Sequence, residues 1–289
     1  MILTALVATE ILEQRLDDPD WVVFDCRHDL ADPARGRAEY AASHIPGARF
    51  LHLDDDLSAP KTGKNGRHPL PHPDALMEKL GRAGVDSRKQ VVVYDAQGGM
   101  VAARMWWLLR WLGHLPVAVL DGGWPRWIAE GRPQSAEIPR PQPASFSGKP
   151  GTNWVNADFV GSRLDDESVV LLDARAPDRY RGQNETLDPV GGRIPGARNR
   201  YFRDNLDAKG RFKPPEELER EFRAVLGADD PQEVVSYCGS GVSACHNLLA
   251  MEVAGLRGSR LYPGSWSEWC ADPSRPVESG EPKAPRAET

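Results

Sequence analysis

The residues best suited to chemistry lie together in Cys238-Gly239-Ser240-Gly241-Val242-Ser243. An apolar, β-rich run, Val234-Val235-Ser236-Tyr237, ends at the cysteine, and a helical pattern begins at Ala244. This order predicts a thiol at the carboxyl end of a strand, ahead of a helix N-terminus. Two glycines let the turn curl so that successive backbone N–H groups face inward as an anion nest. The nest and the helix dipole both favour a thiolate over a thiol. Ser240 and Ser243 add hydroxyls. Such a site suits attack of a cysteine sulfur on a sulfur donor, storage of the extra sulfur as a persulfide, and transfer to an acceptor nucleophile. Arg175 and Arg179 follow the apolar run ending at Asp173 and are placed to reach the same rim, where they would attract an anionic donor.

Two other chemistries fit the loop less well. Gly239-Ser240-Gly241-Val242-Ser243-Ala244 satisfies the G-x-G-x-x-A form of a dinucleotide-binding turn, but the next strand ends in Leu261-Tyr262-Pro263-Gly264, without the acidic residue that would bind a ribose. A cysteine phosphatase or arsenate reductase needs Cys-x5-Arg, whose arginine grips the oxyanion at two points. Here Ala244 holds that position, and the next arginine is Arg257. Cys26, Cys245 and Cys270 show neither metal-finger spacing nor a disulfide framework and read as packing residues. A reducing, cytoplasmic setting is the simplest reading.

The elements that must position this loop occur twice. Val22-Val23-Phe24-Asp25-Cys26-Arg27 matches Val170-Leu171-Leu172-Asp173-Ala174-Arg175, and His44-Ile45-Pro46-Gly47-Ala48-Arg49 matches Arg193-Ile194-Pro195-Gly196-Ala197-Arg198. Val92-Val93-Tyr94-Asp95 matches Val235-Ser236-Tyr237-Cys238, and Leu120-Asp121-Gly122-Gly123-Trp124 matches Tyr262-Pro263-Gly264-Ser265-Trp266. A duplication of domain size follows, with Asp95 where the second copy has Cys238. Strands are predicted near 21–25, 48–52, 91–95 and 116–120, and again near 168–172, 197–201, 233–237 and 258–262. Helical patterns at 100–109 and 244–251 follow the third strand of each half. The fold class is therefore α/β, each half a mainly parallel sheet flanked by helices on both faces, with functional groups at the carboxyl ends of the strands. We read 1–135 as one domain, the Pro- and Ser-rich 136–152 as a linker, and 153–289 as the second domain.

Other segments carry structural expectations. The apolar spacing from Ile2 to Leu16 fits a short amphipathic helix without a signal sequence. His68-Pro69-Leu70-Pro71-His72 reads as a rigid loop, and Asp54-Asp55-Asp56 as a solvated turn or helix start, with a cation site the lesser reading. Trp106, Trp107, Trp111, Trp124 and Trp127 fit helix-to-sheet packing and a domain interface. The chain has 289 residues, a net charge of −6 and no dense Lys/Arg block, which argues against nucleic acid as a partner. No apolar run approaches about 20 residues, so no membrane partner is expected.

The loop Cys238-Gly239-Ser240-Gly241-Val242-Ser243-Ala244, with the repeated D-x-R, H-I-P-G-A and G-G-x-x-x-W blocks, resembles the rhodanese superfamily, in the form typical of its mercaptopyruvate sulfurtransferases. The resemblance covers nearly the whole chain. It implies two tandem rhodanese-like domains with an inactive first copy, and no metal or organic cofactor. It also implies a small anionic sulfur donor, 3-mercaptopyruvate ahead of thiosulfate, and a thiol or cyanide acceptor. By the same resemblance Cys238 is the nucleophile, Arg179 binds the donor anion, and Gly239, Gly241, Val242 and Ser243 line the substrate. Ser240, His44 and Asp32 correspond to a proposed Ser–His–Asp relay. A second donor-binding arginine of the family has no counterpart in Thr186-Leu187-Asp188-Pro189-Val190; Arg193 is a candidate substitute. A module that has lost catalysis and only binds is the non-enzymatic alternative. Oligomeric state is not legible.

Overall fold

The computed structural model describes residues 2–166 and 168–281; residues 282–289, assigned above to the second domain, lie outside it. Two parallel sheets form the frame. The first contains β1 (Leu6–Val7), β2 (Trp21–Asp25), β3 (Arg49–Phe50), β4 (Gln90–Tyr94) and β5 (Val117–Leu120), in the order β1-β5-β4-β2-β3. The second contains β6 (Val170–Asp173), β7 (Arg198–Asn199), β8 (Val234–Tyr237) and β9 (Arg260–Leu261), in the order β7-β6-β8-β9. Every pairing within both sheets is parallel. The central strands β4 and β8 are buried along their whole length, as their mainly apolar, β-branched residues require.

Each strand predicted from the repeat is present, and β1 is one more. The residues read as an amino-terminal amphipathic helix divide instead. Leu6 and Val7 pair with Val119 and Leu120 at the sheet edge, and the helix is only Thr9–Glu13. The backbone bond from Asp121 N–H to Val7 O, 2.9 Å, shows why. The edge of β5 has open polar groups that an extended segment satisfies and a helix cannot.

The two halves meet through the helices that follow β4 and β8, Met100–Trp111 and Ser243–Val253. Both are apolar nearly all round, so each buries one face on its own sheet and the other on its counterpart. Trp107, Leu108, Leu248 and Leu249 consequently belong to one continuous core. Trp106, Trp107, Trp111 and Trp127 are buried as expected, and Trp124 stacks on Tyr94. The Pro-rich segment between the halves is strapped down rather than free. Ala144 N–H bonds Gly81 O, Lys149 N–H bonds Leu112 O, and Phe146 is buried. No helix among the described residues is long and apolar enough to cross a membrane.

Candidate active site

Cys238 follows β8 directly and is 2% exposed, at the floor of a cleft of about 400 Å³ between the two halves. Its sulfur accepts N–H bonds from Gly241 at 3.1 Å and Ser240 at 3.5 Å. The nest predicted from the glycines is therefore formed. Gly241 sits at φ +75°, and a Cβ there would stand 2.4 Å from Pro263 O, so only glycine closes this turn. The next helix begins at Ser243, and its first N–H groups have no intrahelical acceptor, which adds positive potential on the sulfur's side. The cysteine's own peptide is pinned from β9's following turn. Cys238 N–H bonds Ser265 Oγ at 3.1 Å, and Cys238 O accepts from Trp266 N–H at 2.9 Å.

Arg179 lies in the cleft wall. Its Nε and Nη2 bond Glu185, and Nη2 also meets Asp188 at 3.4 Å. Arg175 is structural: it is buried, grips Asp173 and stacks over Trp266 with its guanidinium 4.8 Å from the ring centre. Gly239, Ser240, Val242 and Ser243 all line the cleft with Cys238.

The side chains beside Ser240 are other than the His44 and Asp32 that the sequence suggested. His44 is fully buried in the first domain, with Nδ1 2.7 Å from Tyr40 O and Nε2 3.0 Å from Glu137 O. Both ring nitrogens thus face backbone carbonyls, one of which a neutral ring can donate to, and no hydrogen bond joins it to Ser240. Asp32 is an exposed turn residue that accepts from Ala34 N–H. In their place His68 Nδ1 stands 2.7 Å from Ser240 Oγ, and His68 Nε2 stands 3.6 Å from Asp54 Oδ1. The loop read as merely rigid therefore crosses from the first domain onto the active loop, and the aspartate run read as solvated supplies its carboxylate. Proline stiffening was a visible signal; the destination of the histidine was not.

Burial, with the charges of Arg104, Lys61 and Arg67, pushes His68 down to about 3 against the pull of Asp54. The ring is neutral at physiological pH. A carboxylate can only accept, so the single N–H belongs on Nε2 toward Asp54, and Nδ1 accepts the Ser240 hydroxyl proton. Arg104, wholly buried, reaches in from the first domain's central helix. Its Nη1 donates to Gly241 O at 3.2 Å and its Nη2 to His68 O at 3.1 Å, joining the two loops that carry the site. Cys245 is buried behind them, and its thiol donates to Gly241 O at 3.3 Å.

One metal-capable group occurs among the described residues: ligand atoms of His28, His52 and Asp54 lie within 4.8 Å of one another. Lys61 Nζ already sits 2.7 Å from Asp54, and both ring nitrogens of His52 are engaged by Pro33 O and Asp55 N–H. That arrangement suits a carboxylate ion-paired with Lys61 better than a cation site.

Arg193 does not enter the cleft. It is buried, donates to Gly280 O and Glu278, and lies 4.5 Å from the centre of the Tyr180 ring. It anchors the carboxyl-terminal segment.

Comparison with known proteins agrees with this frame. A model of the rhodanese-like domain matches residues 8–130 and again 156–272. The chain is 47% identical over 279 residues to a Pseudomonas aeruginosa protein named "Probable 3-mercaptopyruvate sulfurtransferase", covering 96% of this chain and 98% of the relative. It is 34% identical to the thiosulfate sulfurtransferase of Mus musculus, covering 96% of each chain. Among solved structures, SseA from Escherichia coli, described with the rhodanese fold of 3-mercaptopyruvate sulfotransferases, superposes with a TM-score of 0.79 at 28% identity, over 91% of this chain and 99% of that one. The chain belongs to the rhodanese-like domain family and carries two copies of that domain in tandem.

Proposed function

We propose that the protein is a sulfurtransferase that takes a sulfane sulfur from 3-mercaptopyruvate, holds it as a Cys238 persulfide and passes it to a thiol or cyanide. The observation that carries this reading is the sulfur of Cys238 held by two loop N–H groups beside a neutral His68–Ser240 pair. The Cys238 thiolate attacks the donor sulfur, and an S–S bond forms as the donor's C–S bond breaks. The bonding electrons stay with carbon, leaving an enolate that takes one proton to become pyruvate. In this reading Ser240 carries a proton between the donor's thiol and that carbon, a role supported by its bond to His68. The acceptor then attacks the outer sulfur, and Cys238 leaves as thiolate.

The relay favours mercaptopyruvate over thiosulfate on chemical grounds. Sulfite leaves thiosulfate as a stable anion and needs no proton, whereas an enolate does. The likeness to thiosulfate sulfurtransferases keeps thiosulfate as the second reading. We assign the catalytic domain to 153–289, the first domain to 1–135 and the strap to 136–152, a division supported by the two separate sheets. The test is kcat/KM for 3-mercaptopyruvate and thiosulfate side by side, since discrimination resides in that ratio. A clear preference for mercaptopyruvate that Ser240→Ala erases supports the reading. Equal use of both donors by the native and Ser240→Ala proteins contradicts it.

A further inference from the structure

Donor binding in this chain has one arginine, Arg179, where a second would be expected, and Arg193 is committed elsewhere. We propose that Arg67, delivered by the first domain, is the second donor-binding cation and works as a pair with Arg179. This rests on the sulfurtransferase reading above.

The placement is specific. Arg67 lines the same cleft as Arg179, Cys238 and Ser240. A Cβ built on Gly239 would stand 2.7 Å from Arg67 Nη2 and 3.7 Å from Arg179 Nη1. Both guanidiniums therefore lie over the peptide that follows the nucleophile, and a side chain at 239 would displace Arg67. The two are tied together by Asp188, which bonds Arg67 Nη1 from one side and Arg179 Nη2 from the other. The Asp188 side chain is only 3% exposed, so it fixes their positions. Arg67 N–H is further held by Ser267 Oγ at 3.0 Å.

What remains open on each guanidinium is informative. Arg67 Nη2 and Arg179 Nη1 have no hydrogen-bond acceptor among the described residues, and these are the nitrogens nearest Gly239. Two convergent free N–H groups at a cleft floor match the adjacent carboxylate and keto oxygens of a 2-oxo acid, or the oxygens of a sulfonate. The other arginines of the cleft are less suited. Arg175 is spent on Asp173, and Arg203 is exposed over the Phe202 ring. Arg67 is also the immediate neighbour of His68, so a single first-domain segment brings both an anion-binding cation and the relay base to the second domain's cysteine.

The test compares the native protein with Arg67→Met, Arg67→Lys and Asp188→Asn. Two readouts are taken: steady-state kinetics with 3-mercaptopyruvate, and protection of Cys238 from iodoacetamide by pyruvate, which needs no turnover. Arg67→Met is expected to raise KM about 10- to 100-fold with kcat within about threefold, and to abolish protection at concentrations that shield the native protein. Arg67→Lys should recover part of both. Asp188→Asn keeps both guanidiniums but loosens the tie between them, and should raise KM by clearly less than Arg67→Met does. The proposal is overturned if Arg67→Met keeps native KM and protection, or if Asp188→Asn weakens binding as much, which would make Arg67 a clamp of the domain seam. Native protein that shows pyruvate protection but no turnover would sink the sulfurtransferase reading while the protection series still decides the role of Arg67.

Discussion

The two domains build the same pocket and fill it differently. Asp25, Arg27, Tyr94 and Trp124 in the first domain repeat Asp173, Arg175, Tyr237 and Trp266 in the second. Arg27 Nη2 bonds Asp25 at 2.6 Å and lies 4.5 Å from the Trp124 ring; Arg175 Nη2 bonds Asp173 at 2.6 Å and lies 4.8 Å from the Trp266 ring. The pockets diverge at the loop. Asp95 accepts N–H bonds from Gln97, Gly99, Val101 and Ala102 at 2.7–3.0 Å, so its carboxylate saturates its own nest. Cys238 takes two such bonds and presents its sulfur to the cleft. Beneath each lies a left-handed residue at φ 54°, Gly123 in the first domain and Ser265 in the second. Only the serine carries a hydroxyl, and it receives Cys238 N–H. A nest filled from within is a structural plug; one left partly open is a place to hold a second sulfur.

The first domain has not become idle. It exports Arg67, His68 and Arg104 across the seam to the second domain's loop. Asymmetry between duplicated halves here means one copy carries the cysteine loop and the other supplies side chains that reach it.

This contrast can be attacked most strongly at its two centres. Cys238→Ser should lower turnover by about a thousandfold or more in a standard sulfur-transfer assay, because an alcohol at that place cannot store sulfur. Turnover within tenfold of native would remove the cysteine from the mechanism. Asp95→Ala should do the opposite, leaving four donors unpaired and costing about 3 kcal/mol of stability in urea unfolding, whereas Cys238→Ala costs about 1 kcal/mol or less. Equal stability of the two variants would refute the plugged-nest account.

A smaller effect separates the relay from the residues the sequence suggested. His68→Gln should reduce kcat with mercaptopyruvate about 10- to 100-fold. His44→Gln should leave kcat near native and lower thermal stability, since it only disturbs the buried ring between Tyr40 O and Glu137 O. The reverse pattern would restore His44 to the site.

The gentlest perturbation is pH. Burial holds His68 at about 3 and His246 at about 4, and lowers His28 and His114 as well. The folded chain then binds fewer protons than the unfolded chain below the ordinary histidine value of 6.5. Stability is therefore fully present above that value and declines as pH falls toward 4. Melting temperature measured from pH 7.5 to 4.5 should drop steadily, and a flat profile would contradict the burial of these rings.

Much of this was legible in the residues because it is local. Alternating apolar runs and turn glycines gave the strands, and matched blocks gave the duplication and the place of Cys238. The place of Arg179 in the cleft was legible because it lies six residues past the carboxyl end of β6. What was not legible is what crosses between domains. Arg67, His68, Asp54 and Arg104 are distant in sequence from Cys238, and only the packing of Met100–Trp111 on Ser243–Val253 brings their segments to it. His44 was misleading for a related reason. It lies in the repeated H-I-P-G-A block, whose role is to hold the sheet together, as Ile45 N–H bonding to Tyr94 Oη and its copy Ile194 to Tyr237 show.

The claim on which the account turns is that Cys238 alone stores the transferred sulfur. Burial raises the other thiols, Cys245 to about 12, Cys270 to about 11 and Cys26 well above its ordinary range, so they stay protonated at neutral pH. Peptide mass spectrometry after brief exposure to 3-mercaptopyruvate, without acceptor, reads this directly. The account predicts that the Cys238 peptide alone gains the mass of one sulfur atom and loses it when a thiol acceptor is added. An unmodified Cys238 peptide, or extra sulfur on another cysteine, would contradict it.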